Sequence, residues 1–204
     1  MTYLVNFLIS LLSAYLFWKY TQYRYRPKIE IGDEVAYMEE YKESFKKTVP
    51  TYRLKIRNLS TEDAFSIKTI IRIRYNNKYL SIELPFVPVL YGNRESNNVD
   101  DIERELPFHL TQINKDRILT LQDRSISEKY EKGTLSFEDF NIDGAVVEIV
   151  LSASDNIAGI ILNKTVPSMP IKDFVKTIKP GSFTRGSMKV VTEGSSETIY
   201  GDYY

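Results

Sequence analysis

Between Tyr3 and Trp18 the chain carries no charge, and nine of those sixteen residues are Leu, Ile, Val or Phe. As a helix, Met1 to Tyr20 would be roughly 30 Å long at about 1.5 Å per residue, the thickness of a bilayer's hydrocarbon core. Nine such residues at about 0.3 to 0.6 kcal/mol each favour insertion over the cost of Asn6, Ser10 and Ser13. A cleaved signal peptide would place its basic residues before the apolar run and small residues after it. Here Lys19, Arg24, Arg26 and Lys28 follow the run, interleaved with Trp18, Tyr20, Tyr23 and Tyr25. Aromatic and basic residues at one end describe an interfacial belt on the cytoplasmic side, because moving that cluster across the bilayer is unfavourable. The expectation is a single-pass protein of the cell membrane, N-terminus outside and C-terminal domain cytoplasmic. Residues 1–20 form the span and 21–27 a basic-aromatic segment, and Trp18, Lys19, Arg24, Arg26 and Lys28 meet the membrane interface.

The polar residues of the span are spaced in a pattern. Asn6, Ser10 and Ser13 follow i, i+4 and i+7, with Ala14 beside them, so one helical face offers close approach and hydrogen bonds to another helix. That stripe predicts span association and a homo-oligomer. The plainer alternative is that a few serines face lipid, with Asn6 the residue least comfortable there.

Beyond the span, 204 residues leave room for one ordinary domain. Lys plus Arg equals Asp plus Glu at 27 each, so no global field selects a nucleic acid polymer. The chain has no cysteine, which excludes disulfides and thiolate chemistry, and its imidazole supply is His109 alone. Short runs with period-two alternation dominate residues 28–185. KIEIGDEVAY reads as a first strand, and MEEYKESFKK as a short amphipathic helix or a loop. TYRLKIRNLS reads as a half-buried strand. AFSIKTIIRIRYNNKYLSIEL reads as a hairpin turning at Asn76-Asn77, ELPFHLTQI as a further strand, and AVVEIVLSA with AGIILNKTV as a second hairpin. YGNRESNNVDD is turn-rich and polar. SISEKYEKG and LSFEDF read as helical turns with capping boxes at Ser125/Glu128 and Ser136/Asp139. The core ends near Phe183, a last strand is possible at Met188 to Thr192, and 186–204 is a mostly flexible tail. Many short strands with little room for long helices predict an all-β, immunoglobulin-like antiparallel sandwich with one N-terminal transmembrane helix.

GTLSFEDFNIDGAVVEIVLSASDNIAGIILNKTV, followed by MPIKDFVKTIKPGSF, resembles the second half of the cytoplasmic β-sandwich of inward-rectifier potassium channels, with Leu135, Phe140, Glu148, Ile149, Leu151 and Phe183 at matching places. YRLKIRNLSTEDAFSIKTIIRIRY is similar to that domain's early strand pair, so the likeness runs from about residue 51 to 185. With one span and no Thr-Val-Gly-Tyr-Gly filter, the carbonyl rings that select potassium are absent. The resemblance implies a membrane-proximal cytoplasmic sandwich without the pore, and a cyclic oligomer.

The residues offer few chemical constellations. His109 has acids nearby only at Asp100, Asp101, Glu103 and Glu105, and reads as structural. VDDIERE lacks the fixed spacing and glycine of a calcium loop. KPGSFTRGS carries no Walker or dinucleotide fingerprint and reads as a turn. No metal, cofactor or catalytic group is expected. The feature that invites a ligand is basic: Arg53, Lys55 and Arg57 on one strand and Lys68, Arg72 and Arg74 on the next are expected side by side. Like charges so placed are mildly destabilising unless acids of a third strand, such as Glu83, or a bound anion answer them. The leading expectation is a membrane-anchored, non-enzymatic protein whose sandwich binds a partner or ligand. The second is an oligomeric effector that senses an anionic, nucleotide-type signal and alters membrane permeability, as in antiphage defence.

Overall fold

The computed structural model describes residues 2–25, 27–43, 46–92, 98–154 and 161–192. The helix α1 (Thr2–Tyr25) contains one stretch, Tyr3–Thr21, long and apolar enough to cross a membrane, and none of it is buried against the rest of the protein. Arg26 lies outside the described residues.

The strands β1 (Ile29–Lys42) and β2 (Lys47–Asn58) form a long antiparallel hairpin, from Ile29 opposite Asn58 to Lys42 opposite Lys47. This replaces the helix or loop expected at MEEYKESFKK. The helical spacing of Met38 and Tyr41 is overridden by backbone pairing, in which Met38 stands opposite Thr51 and Tyr41 opposite Thr48; Phe45 lies outside the described residues. Pro50 is tolerated within β2 because the neighbour on its other side, β6, begins its pairing only at Tyr52. The register of β1 shifts between Ile31 and Val35, a bulge around Gly32.

Next come β3 (Ala64–Tyr75) and β4 (Lys78–Glu83), joined by Asn76 and Asn77 at φ 47° and 58°. Left-handed conformation at both central residues is what a tight two-residue hairpin turn requires, and asparagine tolerates it. Then follow β5 (Val87–Leu90), α2 (Val99–Ile102) and β6 (Glu103–Phe108). The short helices α3 (Lys115–Leu119) and α4 (Arg124–Lys132) lead to β7 (Val146–Ser154), β8 (Ile161–Thr165) and β9 (Met169–Pro170). The chain ends its described course with α5 (Ile171–Thr177), β10 (Ile178–Pro180), β11 (Ser182–Phe183) and β12 (Val190–Val191). The capping box at Ser136/Asp139 is present, whereas α4 is capped by Asp123, whose side chain accepts from the Ile126 N–H; Ser125 lies inside the helix.

The protein is therefore predominantly β. One large sheet is mixed, in the order β10-β1-β2-β6 with β10 parallel to β1; a second is antiparallel, in the order β4-β3-β7-β8, with β5 beside β3 and β9 beside β7; and β11 and β12 form a small antiparallel pair. Alternate residues of both sheets enter one apolar core, Leu54 and Ile56 from β2 meeting a set that includes Ile67, Ile71 and Ile73 from β3. Phe137 is fully buried between Tyr52 and Phe174, with ring centroids 5.0 and 4.9 Å away. The Leu59 N–H donates to the Lys28 carbonyl at 2.7 Å, so the turn after β2 sits where the chain leaves α1. From that near end the twelve residues of β3 run away over eleven steps, about 36 Å at roughly 3.3 Å each.

Candidate anion-binding surface

The six cations expected on one face belong to two different sheets. Arg53, Lys55 and Arg57 lie on β2, which pairs with β1 and β6; Lys68, Arg72 and Arg74 lie on β3, which pairs with β4, β5 and β7. They do not lie side by side, because the chain crosses from one sheet to the other between Asn58 and Ala64. A local hairpin would have paired them; tertiary packing sends β3 elsewhere.

The charges of the β2 trio are already paired from within, although the Nε atoms of Arg53 and Arg57 are buried without a hydrogen-bond partner among the described residues. Arg53 pairs with Glu40 at 2.8 Å and Glu105 at 3.2 Å. Glu103 accepts from Lys55 and, at 2.6 Å, from Arg57. Lys55 is only 3% exposed and Glu103 5%, although strand alternation puts both on the side facing away from the core. What covers them is the segment after β10. The Lys55 ammonium donates to the Thr184 and Ser187 carbonyls at 2.9 and 2.8 Å and lies 5.7 Å from the Phe183 ring centre. Arg57 donates to the Gly186 carbonyl at 2.7 Å, and the Val190 N–H donates to Glu34 at 2.8 Å. KPGSFTRGS thus offers carbonyl oxygens to cations, the opposite polarity to a phosphate cradle. Glu40 is held below the usual carboxylate range, first by its hydrogen bond to Lys42 and then by Arg53, against the opposing effect of burial. An outside anion at this face would compete with three carboxylates already in place.

The β3 row is different. Lys68, Arg72 and Arg74 are exposed, alternating with the buried Ile67, Ile71 and Ile73, and they make no ion pair among the described residues. Arg72 stands opposite Ser81 and Arg74 opposite Tyr79 on β4; on the other side Arg72 stands opposite Glu148. Glu83, the acid expected to interleave with the cations, is opposite Ile70. Tyr79 and Ser81 also line an open depression of about 800 Å³ with Lys78, Asn114 and Arg117, at the end remote from α1. Lys78 donates to the Thr120 carbonyl and so ties the hairpin to α3. An exposed aromatic ring, two guanidinium groups and further ammonium and guanidinium donors thus share one end of the domain.

Lys78 and Tyr79 were legible in principle, since a two-residue turn at Asn76-Asn77 fixes Tyr79 opposite Arg74. Arg117 was not, because α3 reaches the hairpin only through tertiary packing. Glu103 and Glu105, the acids that neutralise β2, sit on a strand whose pairing with β2 skips β3, β4 and β5.

The remaining candidates divide by place. His109 precedes a 3-10 turn, and the Gln112 side chain accepts from its backbone N–H at 3.1 Å. Burial, and next the nearby Lys42, push its imidazole below the ordinary range. No three His, Asp or Glu side chains gather as cation ligands among the described residues. Trp18 and Lys19 are exposed near the end of α1, where Lys19 lies 5.8 Å from the Tyr15 ring centre. Arg24 donates to the Tyr20 hydroxyl at 3.2 Å, and Lys28 begins the domain. Asn6, Ser10 and Ser13 are exposed on α1.

Compared with known proteins, the chain matches no family model, and no curated protein sequence matches it.

Proposed function

We propose that this is a single-pass membrane protein, not an enzyme, whose β domain is an immunoglobulin-like sandwich on the cytoplasmic side and binds an anionic ligand or partner at its membrane-remote end. The observation that carries this reading is the contrast between the two cation rows: β2's charges are answered by Glu40, Glu103 and Glu105, while Lys68, Arg72 and Arg74 are exposed and make no ion pair among the described residues, Arg72 and Arg74 standing opposite Ser81 and Tyr79, which line the depression with Lys78 and Arg117. Among the described pairings Glu148, across from Arg72, is the acid directly opposite the row, so the exposed cations outnumber the acids facing them, a cost that a bound anion removes. Their distance from α1 favours a soluble anion over a lipid headgroup, because Arg74 lies ten residues, about 33 Å, along β3 from Ala64. The likeness to the inward-rectifier cytoplasmic domain is part of the same proposal. What supports it is that Leu135, Phe140, Ile149, Leu151 and Phe183 are all buried, as core positions of a sandwich would be.

The test is titration of the full chain with inorganic triphosphate as a generic phosphoanion, followed by calorimetry at low and high salt. Binding should saturate and weaken with salt, since exposed contacts are screened over about 8 to 10 Å. Arg72→Gln with Arg74→Gln, which removes the charges without setting a carboxylate against Glu148, should weaken it at least about tenfold while leaving the melting temperature nearly unchanged. Absence of binding at low salt, or equal binding by the double variant, removes the reading. Arg53→Glu with Arg57→Glu is not an informative substitute, because it sets new carboxylates against Glu40, Glu103 and Glu105 and disturbs the fold.

A second reading, the oligomeric effector that alters permeability, is favoured by the Asn6, Ser10 and Ser13 stripe, which α1 leaves exposed along its length. It requires the same anion site and, in addition, association through the span.

A further inference from the structure

We infer that the turn between β2 and β3 is a second membrane contact: Leu59 seats in the interfacial layer of the bilayer beside Tyr23, and the domain stands on that end. The inference rests on the reading of α1 as a span. Tyr23 is two residues beyond Thr21, where the apolar stretch ends, a rise of about 3 Å. The headgroup layer of each leaflet is roughly 5 to 8 Å deep, so Tyr23 lies within it. Leu59 shares a crevice of about 460 Å³ with Tyr23, Pro27, Lys28 and Lys164, and its N–H donates to the Lys28 carbonyl at 2.7 Å. Whatever tilt the helix adopts, that bond keeps Leu59 with the chain as it leaves the membrane.

Leu59 is 54% exposed although its turn is tightly built. The buried Asn58 amide donates to the carbonyls of Glu62, Leu90 and Tyr91 at 2.9, 3.0 and 3.2 Å, and its oxygen accepts from the Ser60 N–H at 2.9 Å. Asp63 accepts from the Gly92 N–H at 2.7 Å, and a Cβ at Gly92 would stand 2.2 Å from the Thr61 carbonyl oxygen, so the two loops are locked together. The leucine is thus held outward by a rigid base rather than left over on a floppy loop. Tyr91, bonded to Asn58 through its carbonyl, is exposed at the same end. Lys28 and Lys164 flank the crevice, with Glu30 the acid beside them, and Lys164 donates to the Ile29 carbonyl at 3.1 Å. An apolar tip on a fixed turn, rimmed by amphipathic lysines, is the arrangement that enters the headgroup layer and leaves charge at the phosphates.

The chain has no cysteine and one tryptophan, which makes the test direct. Full-length Leu59→Cys, labelled with an environment-sensitive fluorophore, is reconstituted in phosphatidylcholine–phosphatidylglycerol vesicles with and without nitroxide-bearing lipid. Tyr79→Cys, also exposed, is labelled alike as the remote control, and Trp18 reports the span in both. The expected result is loss of fluorescence at position 59 and at Trp18 on adding the quencher lipid, with little loss at position 79. Quenching of Trp18 without quenching at 59 overturns this inference and leaves the anchored reading standing. Equal quenching at 59 and 79 also overturns it, since the domain would then lie flat. An unquenched Trp18 removes the anchored reading itself, and this inference with it.

Discussion

Glu103 is the residue on which most local charge depends, since one buried carboxylate answers both Lys55 and Arg57. Removing it leaves two cations beneath the Phe183–Ser187 segment, whereas removing Lys55 leaves Glu103 still paired. Glu103→Ala should therefore cost about 3 to 5 kcal/mol in denaturant unfolding, and Lys55→Met clearly less. The reverse order would mean that Lys55 acts mainly through the Thr184 and Ser187 carbonyls. Acid should weaken the fold in two stages. His109 is held below its ordinary value near 6.5, so the unfolded chain binds that proton more readily and stability falls as the pH drops through about 6.5. Asp123 is held below the usual carboxylate range, first by the Ile126 N–H and then by the Tyr75 hydroxyl at 2.8 Å, while Tyr75 itself, desolvated and bonded to Asp123, is pushed up to about 12. The unfolded chain again takes the proton first. The Asp123 contribution is thus present above about pH 4 and lost as pH falls towards the folded value. Melting temperatures across pH should show both stages: His109→Gln should erase the upper one, and Tyr75→Phe should move the lower one to higher pH.

Among the elements, α1 carries the sharpest expectation. Helix contact in hydrocarbon brings no hydrophobic gain, so association must come from packing and hydrogen bonds worth about 0.6 to 2 kcal/mol each. Asn6→Leu should weaken any oligomer by roughly tenfold, and Leu11→Ile should do little, measured by cross-linking in bilayers. A monomeric wild-type chain would remove the effector reading. The turn of the β3–β4 hairpin was legible, because Asn76-Asn77 supplies the left-handed conformation and the alternation on either side agrees with it, with the return strand one residue earlier, at Lys78–Glu83, than the alternation suggests. The β1–β2 hairpin was half hidden, since Met38 and Tyr41 mimic a helical period and Pro50 looks like a terminator until β6 is known to stop short of it. The helix α5 went unseen. It has no side-chain cap, and it exists because Ile171 and Phe174 reach the core beside Phe137. Of the candidate site, the exposed half of the basic pattern was readable as chemistry, but its separation from the β2 half was not. Pattern reports which face a residue takes within its strand, and only packing decides which sheet the strand joins.

For the molecule as a whole, the orientation predicted from Lys19, Arg24 and Lys28 is checked by a phosphatase reporter fused after Tyr204. It should be inactive, as expected for a cytoplasmic domain, and an active fusion would reverse the topology. One pairing described above bears on how such a chain is made. The hairpin of β1 and β2 can close as soon as both strands have been synthesised. The other edge of β1, however, pairs in parallel with β10, through Val35 with Ile178. During translation that edge stays open until nearly every other strand has emerged, and an open edge is a template for pairing with the wrong chain. A nascent protein halted before Ile178 would leave Val35 to Tyr37 of β1 without the partner strand that covers them in the finished fold.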